Sequence, residues 1–396
     1  MKNIIIISAV FLPEPVVSAS LANDLASELA IKHNVVVLCP HPTRPEGFKF
    51  SQLPVFSNFL VERIDSFTSP SSNFFTRIWE SYSFGIHCKK YLRSNQEHID
   101  IIYMDAWPFF AQYLIVQEAK RLKIPCVTHI QDIYPESLSN KLPKPANKLI
   151  NKLAIPIDTI ILRNSTKIIG ISQSMINYLS SSRKINKQKF ELVRNWQNDI
   201  IFKEDYLKSN NNSQFVFMYV GSISPTADVE GLIYSYHLAN IENSKLIIAG
   251  SGSALNNCLA ISQKHKCNIE FCTVSPDYVP ELQSKSNILI LPLRKGISNT
   301  ATPSKLTAYM LSGRPVIACV DETSDAAKIV QEAVCGFIVP PENYKKLAEA
   351  MQNVVKLDSN LLNELGINAR RFAKKNLSKE ENLKKLVAVI TNINNN

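Results

Sequence analysis

Glycine is scarce in this chain. Its 396 residues contain 11, and three of these fall in the first 195. No Gly-x-Gly-x-x-Gly fingerprint and no Walker loop can be written from them, which argues against a dinucleotide oxidoreductase and a P-loop enzyme. The eight cysteines form no Cys-x-x-Cys pair, and the seven histidines show no zinc-type spacing. Most of the cysteines adjoin apolar β-type residues, as in Val37-Leu38-Cys39 and Ile317-Ala318-Cys319. They read as buried thiols in a reducing compartment. No Asp-x-Asp pair is available to hold a divalent cation, and no metal or other cofactor is expected. No apolar run reaches the roughly 18–20 residues of a membrane span. Ile4 to Ile7 could open a secretory leader, but Pro13, Glu14 and Pro15 follow without a small-residue cleavage pattern. The run reads instead as a first β-strand, and the protein as cytoplasmic.

What is present is a regular alternation of apolar strands and helices. In the first half, strands are expected at Asn3–Val10, Asn34–Leu38, Ile101–Met104, Pro125–Ile130 and Lys167–Ile171, with helices at Ser18–Ile31 and Phe109–Leu122. Continuous rather than alternating apolar strands indicate a parallel sheet covered on both faces. The texture changes near residues 195–213, where Ser209-Asn210-Asn211-Asn212-Ser213 is loop-like. The alternation then resumes. Strands are expected at Phe215–Val220, Lys245–Ala249, Ile269–Cys272, Ile288–Leu291 and Pro315–Cys319, with helices at Val229–Leu238, Leu255–Lys264, Lys305–Leu311 and Ala326–Ala333. Helix dominates from Tyr344 onward. This predicts two doubly wound α/β domains, 1–195 and 196–396, the last helix being free to return to the first. Ligands of such sheets bind at the carboxyl ends of the strands.

Charge is unevenly spread. Residues 1–195 hold 23 Lys and Arg against 15 Asp and Glu, and residues 196–396 hold 21 against 19. A basic first half fits an anionic partner, nucleic acid or membrane surface, or a merely solvated face. No nucleic-acid recognition motif accompanies it. Two segments combine basic and apolar residues: Phe74–Arg93, with Phe74, Phe75, Trp79, Tyr82 and Phe84, and Lys141–Lys167, with Leu149, Leu153 and Ile155. Each could lie on an anionic bilayer or pack within the domain.

The segment Ile288 to Val320 carries the most chemistry. A buried strand ends at Pro292, a loop carries Arg294 and Lys295, and Thr302-Pro303-Ser304 opens a helix. Lys305 then falls in the first helical turn, where the macrodipole disfavours a cation unless an anion is bound. The alternative is an exposed surface lysine. Gly221, Gly250 and Gly252 end strands, where a backbone approaches a phosphate or simply turns.

Pro303-Ser304-Lys305-Leu306 and the following Ala308 to Ala318 resemble the donor-site signature of retaining family-4 glycosyltransferases, in the branch that builds O-antigen, capsule and colanic-acid-type polysaccharides. Phe11-Leu12-Pro13-Glu14-Pro15 is similar to that family's first acceptor-side loop, and Gln131 to Ser137 to its Asp-aromatic-Pro-Glu-Ser motif. Tyr219-Val220-Gly221-Ser222 lies where the family opens its second domain, and Gly336 to Pro341 where it closes the donor site. The resemblance covers nearly the whole chain. It implies the GT-B architecture, two facing Rossmann-like domains with a cleft between them.

On the donor side it points to Gly221, Ser222, Gly252, Val274, Thr302, Pro303, Ser304 and Glu322. On the acceptor side it points to Glu14, His129, Gln131 and Asn195, and the catalytic set is Lys305, Arg294 and Asp132. His129 could equally be a core histidine, and Asp132 a cap for the turn before Pro135. The departures are specific. Thr300 and Ala308 replace the usual Glu-x7-Glu pair, Ser222 follows Gly221 where a cation is usual, Val16-Val17-Ser18 replaces a glycine-rich loop, and Gln131 replaces a His.

The implied reaction moves a hexosyl or N-acetylhexosaminyl group from a nucleotide sugar, expected to be UDP-linked, to a polyprenyl-diphosphate-linked glycan. It would proceed with retention, at the inner face of the cytoplasmic membrane. Negative charge grows on the departing diphosphate, so cations and helix N-termini would carry the catalysis. Two other readings share the fold: a nucleotide-sugar epimerase, and a catalytically degenerate transferase that acts as a binding partner.

Overall fold

The protein was analysed as a computed structural model, which describes residues 1–43, 53–69, 74–105, 108–139, 143–196, 199–203, 213–265, 267–296 and 304–393. It forms two compact units, Met1–Arg194 with Asn382–Asn396, and Asn195–Glu381.

In the first unit the order is β1 (Asn3–Ile7), α1 (Val17–Leu29), β2 (Asn34–Pro40), β3 (Leu60–Ile64), α2 (Phe74–Ser94), β4 (Ile101–Asp105), α3 (Phe109–Leu122), β5 (Cys126–Ile130), α4 (Glu136–Ser139), α5 (Lys144–Asn164), β6 (Lys167–Gly170), α6 (Gln173–Arg183) and β7 (Phe190–Leu192). The seven strands pair in the order β3-β2-β1-β4-β5-β6-β7, and every pairing is parallel. Successive strands are added outward from β1 on one side as β2 and β3, and on the other from β4 to β7, so the order of addition reverses between β1 and β4. Ile4, Ile6, Ile101 and Ile102 are fully buried there, as expected of strands covered on both faces. The rim strand β3 was not legible as a strand. Its sequence Leu-Val-Glu-Arg-Ile breaks the apolar run, which an edge strand with one paired side tolerates.

The second unit repeats the plan with β8 (Phe215–Val220), α7 (Val229–Ala239), β9 (Ser244–Ala249), α8 (Leu255–His265), β10 (Ile269–Cys272), α9 (Val279–Ser284), β11 (Ile288–Pro292), α10 (Ser304–Leu311), β12 (Val316–Cys319), α11 (Asp325–Glu332), β13 (Gly336–Val339), α12 (Tyr344–Val355) and α13 (Ser359–Asn376), and α14 (Lys379–Thr391) passes into the first unit at Asn382. Its six strands pair in the order β10-β9-β8-β11-β12-β13, again all parallel, and reverse between β8 and β11. The chain's last residues rejoin the first unit, where Lys2 Nζ donates to the carbonyls of Thr391 and Ile393 at 2.8 and 2.7 Å.

All eight cysteines are free thiols and six are buried. Among the described residues, no helix is long and apolar enough to cross a membrane.

Candidate functional site

In the second unit the described donor-side residues lie along the carboxyl edge of the sheet. Gly221 ends β8, Gly252 follows β9, Val274 follows β10, Arg294 follows β11, Lys305 is the second residue of α10, and the exposed Glu322 follows β12. Thr302 and Pro303 lie outside the described residues. The point where strand order reverses, between β8 and β11, is where such sheets bind ligands. There Lys305 and Gly221 meet. A Cβ built on Gly221 would come within 2.1 Å of Lys305 Cε, and Gly221 has φ +149°. Gly252, at φ +152°, has the Ile223 carbonyl in the place of a side chain, 2.3 Å from a built Cβ.

One turn after Lys305, Tyr309 anchors the helix. Its hydroxyl donates to the Val220 carbonyl at 2.9 Å and accepts from the Val220 amide at 3.0 Å. The i, i+4 spacing puts both side chains on the face that meets the end of β8. Lys305 Nζ lies 5.9 Å from the centroid of the Tyr219 ring. Burial lowers the pKa of Lys305, a cost that a bound anion would offset. Ser222 is exposed, and its carbonyl accepts from the Tyr219 hydroxyl at 2.5 Å. Val274 packs against the core.

Arg294, expected as a second leaving-group cation, lies among carboxylates. Its guanidinium lies 3.4 Å from Asp228, 3.5 Å from Glu230 and 3.3 Å from Glu342. It also donates to the Pro225 carbonyl at 2.8 Å. These carboxylates tie it to α7 and to Glu342, whereas Lys305 has no carboxylate partner among the described residues.

In the first unit, the carboxyl ends of β1, β4 and β5 open into a pocket of about 690 Å³. Gln131 and Asp132 line it, and so do Ser8 and Asp105, which the sequence reading did not single out. Asp105 is the last residue of β4, beside the reversal at β1. Burial pushes its pKa up to about 6, against hydrogen bonds from Ser8 at 2.9 Å and Tyr103 at 3.3 Å. A carboxylate directly after the apolar run Ile101–Met104 was the available signal. Behind it, His129 is buried, and burial pulls its pKa down to about 3. Its Nδ1 is 2.6 Å from the Tyr103 hydroxyl and its Nε2 is 3.2 Å from Gln131 Nε2. If the Gln131 amide donates to Nε2, the ring donates to Tyr103, and Tyr103 to Asp105. The relay therefore leaves His129 neutral behind the pocket, where it orients Gln131. Glu14 is buried in the loop after β1 and accepts from the Thr43 amide at 3.0 Å. Asn195 is half-buried at the start of the second unit.

The two basic segments separate into inner and outer faces. On α2, Phe84 is 2% exposed and belongs to the core, whereas Phe75, Trp79, Tyr82 and Ile86 are 76, 56, 43 and 42% exposed. The Phe74 side chain lies outside the described residues. The exposed four recur at i, i+4, i+7 and i+11, one stripe of the helix. On α5, Leu149 and Leu153 are 59 and 63% exposed. Lys89 and Arg93, counted in the basic excess, are bound to the buried Glu118 at 3.5 and 2.8 Å.

Comparison with known proteins agrees with this layout. Residues 19–198 match the model for Glycosyltransferase Family 4 and residues 202–372 the model for Glycosyl transferases group 1. Each covers just under half of the chain, and together they span most of it. The two parallel-sheet, Rossmann-like units are of the GT-B fold class. A probable glycosyltransferase of Pseudomonas aeruginosa, WbjE, is 19% identical to this chain over 278 residues, 66% of each chain and so just under two thirds of that relative. Among solved structures, Anabaena HepE in complex with UDP superposes with a TM-score of 0.68 at 14% identity, covering 99% of this chain and all of that one. WaaG, a glycosyltransferase involved in lipopolysaccharide biosynthesis, gives 0.63 at 16% identity, covering 98% of this chain and all of that one.

Proposed function

We propose that the protein transfers a sugar, with retention, from a UDP-sugar held by the second unit to a lipid-linked glycan held by the first, in surface-polysaccharide assembly. The observation that carries the reading is the half-buried ammonium of Lys305, held by α10 against the glycine that ends β8. A lysine that loses solvation without gaining a carboxylate partner among the described residues favours an anion there. The departing diphosphate is that anion. Its charge grows in the transition state, when Lys305 and the first amides of α10 would stabilise it most. Ser222, Gly252, Val274 and Glu322 are proposed to hold the remainder of the donor from the neighbouring strand ends. Thr302, Pro303 and Ser304 would complete the phosphate side.

On the acceptor side, Asp132 and Gln131 are proposed to receive the accepting hydroxyl, with Asp105 and Ser8 beneath them. The front-face route needs no enzyme nucleophile, because the leaving phosphate takes the acceptor's proton. The exposed stripe of α2 and the lysines of α5 are proposed to rest on the anionic inner face of the cytoplasmic membrane, where a lipid-linked acceptor is found.

The experiment is release of free nucleoside diphosphate from a panel of nucleotide sugars, with and without a prenyl-diphosphate-linked saccharide. Acceptor-dependent release from a UDP-sugar, lost in Lys305→Ala with the thermal transition kept, is the expected result. Interconversion of the donor sugar without acceptor would establish the epimerase reading instead. Donor binding with no release under any condition would establish the degenerate one.

A further inference from the structure

The pocket of the first unit has two kinds of wall. The strand tips give polar groups: Ser8, Asp105, Gln131 and Asp132. The helices give mainly hydrocarbon: Ile78 of α2, Phe109 and Phe110 of α3, Leu138 of α4, and Ile150 and Ala154 of α5. Ser18 of α1 and Ser137 of α4 add hydroxyls, but on α2, α3 and α5 the polar side chains that reach it are already engaged. The Ser81 hydroxyl accepts from the amides of Phe110 and Ala111 at 2.8 and 3.2 Å, and Arg77 donates to Glu80 at 3.0 Å. A saccharide laid against that part of the wall would bury hydroxyls without partners, which is unfavourable. An alkyl segment would instead gain from the removal of its surface from water.

Two of the helices that give this wall, α2 and α5, carry apolar residues on their outer faces as well. Phe75, Trp79, Tyr82 and Ile86 do so on α2, and Leu149 and Leu153 on α5, where Lys148 and Lys152 are also exposed. Both helices therefore present apolar residues on the outside as well as to the pocket, and α5 adds exposed ammonium groups suited to a phosphate. The geometry points to a prenyl-chain site: the helical wall takes the phosphate-proximal hydrocarbon of the acceptor's own lipid, lifted out of the bilayer, while the strand tips take its saccharide. This rests on the transferase reading, and adds where the lipid is read and that its chain type matters.

Two substitutions fill or charge that wall, Ala154→Trp and Ile150→Asp. Two measurements use them. In the first, one saccharide is offered on a farnesyl diphosphate and on a methyl aglycone, and the ratio of the two kcat/KM values is taken. Wild type should prefer the farnesyl acceptor at least about tenfold, equivalent to 1.4 kcal/mol, and both variants should bring the ratio close to unity. A wild-type ratio near unity, or one that neither variant changes, overturns the proposal. The second measurement needs no turnover: thermal stabilisation of the full chain by farnesyl phosphate, with phosphatidic acid as the acyl-lipid control. Stabilisation by the prenyl phosphate that both variants abolish supports the site even if no acceptor is ever glycosylated, in which case only the transferase reading falls. No stabilisation, or an equal response to the acyl lipid, overturns the prenyl site and leaves that reading standing.

Discussion

The stem of Lys305 lies across Gly221, in the space a side chain on that glycine would occupy, 2.1 Å from Lys305 Cε. Gly221→Ala must therefore displace the lysine or strain a backbone held at φ +149°. Positive-φ strain of this kind costs on the order of 1–3 kcal/mol, which a domain with this core survives. The ammonium, however, would leave the end of β8. Turnover should fall about 100-fold or more, in line with loss of one transition-state charge contact. Because both substitutions remove one interaction, Gly221→Ala combined with Lys305→Ala should be no worse than Lys305→Ala alone. Additive losses in kcat/KM would show that the two residues act separately.

That relationship shows what the sequence could and could not carry. Thr302-Pro303-Ser304-Lys305 marks a helix start and a misplaced cation locally, and Gly221 marks a strand end. Both signals depend on neighbours in the chain. That the two touch depends on β8 and β11 being adjacent strands, which no local pattern encodes. The same limit explains Arg294. Its neighbours in sequence suggest a free cation, while its partners Asp228, Glu230 and Glu342 lie 66, 64 and 48 residues away. Asp105 escaped notice because one acidic residue after an apolar strand is unremarkable until β1 is placed beside it. The rim strand β3 and the three-residue β7 were lost for a different reason: edge strands need no continuous apolar run.

Asp105 should make acceptor binding and stability pH-dependent in opposite senses. Its pKa rises on folding, to about 6, so the folded state holds the proton more tightly than the unfolded one. Stability should therefore decline as pH rises from about 4 through 6, and be lower above that window. Asp105→Asn removes the buried charge and keeps one of the two acceptors, the Tyr103 hydroxyl still donating to it while the Ser8 hydroxyl turns to the Val10 carbonyl, 2.7 Å away. It should flatten this part of the pH–stability curve in urea melts and raise stability at pH 8 by about 1–3 kcal/mol. If ionised Asp105 binds the acceptor, the same variant should raise KM for acceptor above pH 6 and leave KM for donor unchanged. A variant with the wild-type pH profile would remove Asp105 from both roles.

Glu118 works the other way. It is 1% exposed, ties α2 to α3 through Lys89 and Arg93, and pairs with Arg121 on its own helix. Burial alone would raise its pKa, but hydrogen bonds from Arg93 and Arg121 and their charges hold it down to about 2. A depressed carboxylate stabilises the fold above its ordinary pKa and loses that contribution as pH falls from about 4.5 towards 2. Glu118→Gln should cost about 2–4 kcal/mol at pH 7, since three cations lose their partner at a buried position. The deficit should shrink in acid. A deficit that stays constant between pH 7 and 3 would assign the loss to packing instead.

Transfer should persist in excess EDTA. Among the described residues, no group of three or more His, Cys, Asp or Glu side chains is arranged to hold a metal ion. The proposed mechanism places the leaving-group charge on Lys305 and the start of α10. Inhibition by EDTA that magnesium or manganese reverses would show that a cation accompanies the donor and that Lys305 shares its task.

Binding to anionic vesicles should have a salt-sensitive and a salt-resistant part, carried by different residues. The basic excess of the first half, 23 Lys and Arg against 15 Asp and Glu, suggests the first. Its useful charges are fewer than that count, because Lys89 and Arg93 are committed to Glu118. Neutralising those two should weaken the α2–α3 contact before it weakens membrane binding. Lys144, Lys148 and Lys152 on α5 are exposed, and each near an anionic bilayer is worth about 1 kcal/mol. Replacing all three by Gln should lower vesicle affinity by about 100-fold at low salt, and by much less once the Debye length falls below about 8 Å. The exposed aromatic stripe of α2 supplies the other part. Trp79→Ala with Phe75→Ala should reduce binding to a similar degree at low and high salt, because removal of apolar surface from water is not screened. Co-sedimentation with anionic and neutral vesicles at two salt concentrations measures both. Equal pelleting with the two lipids, or none with either, would sink the docking face. An identical salt response in the lysine and aromatic variants would sink this division of labour between α5 and α2.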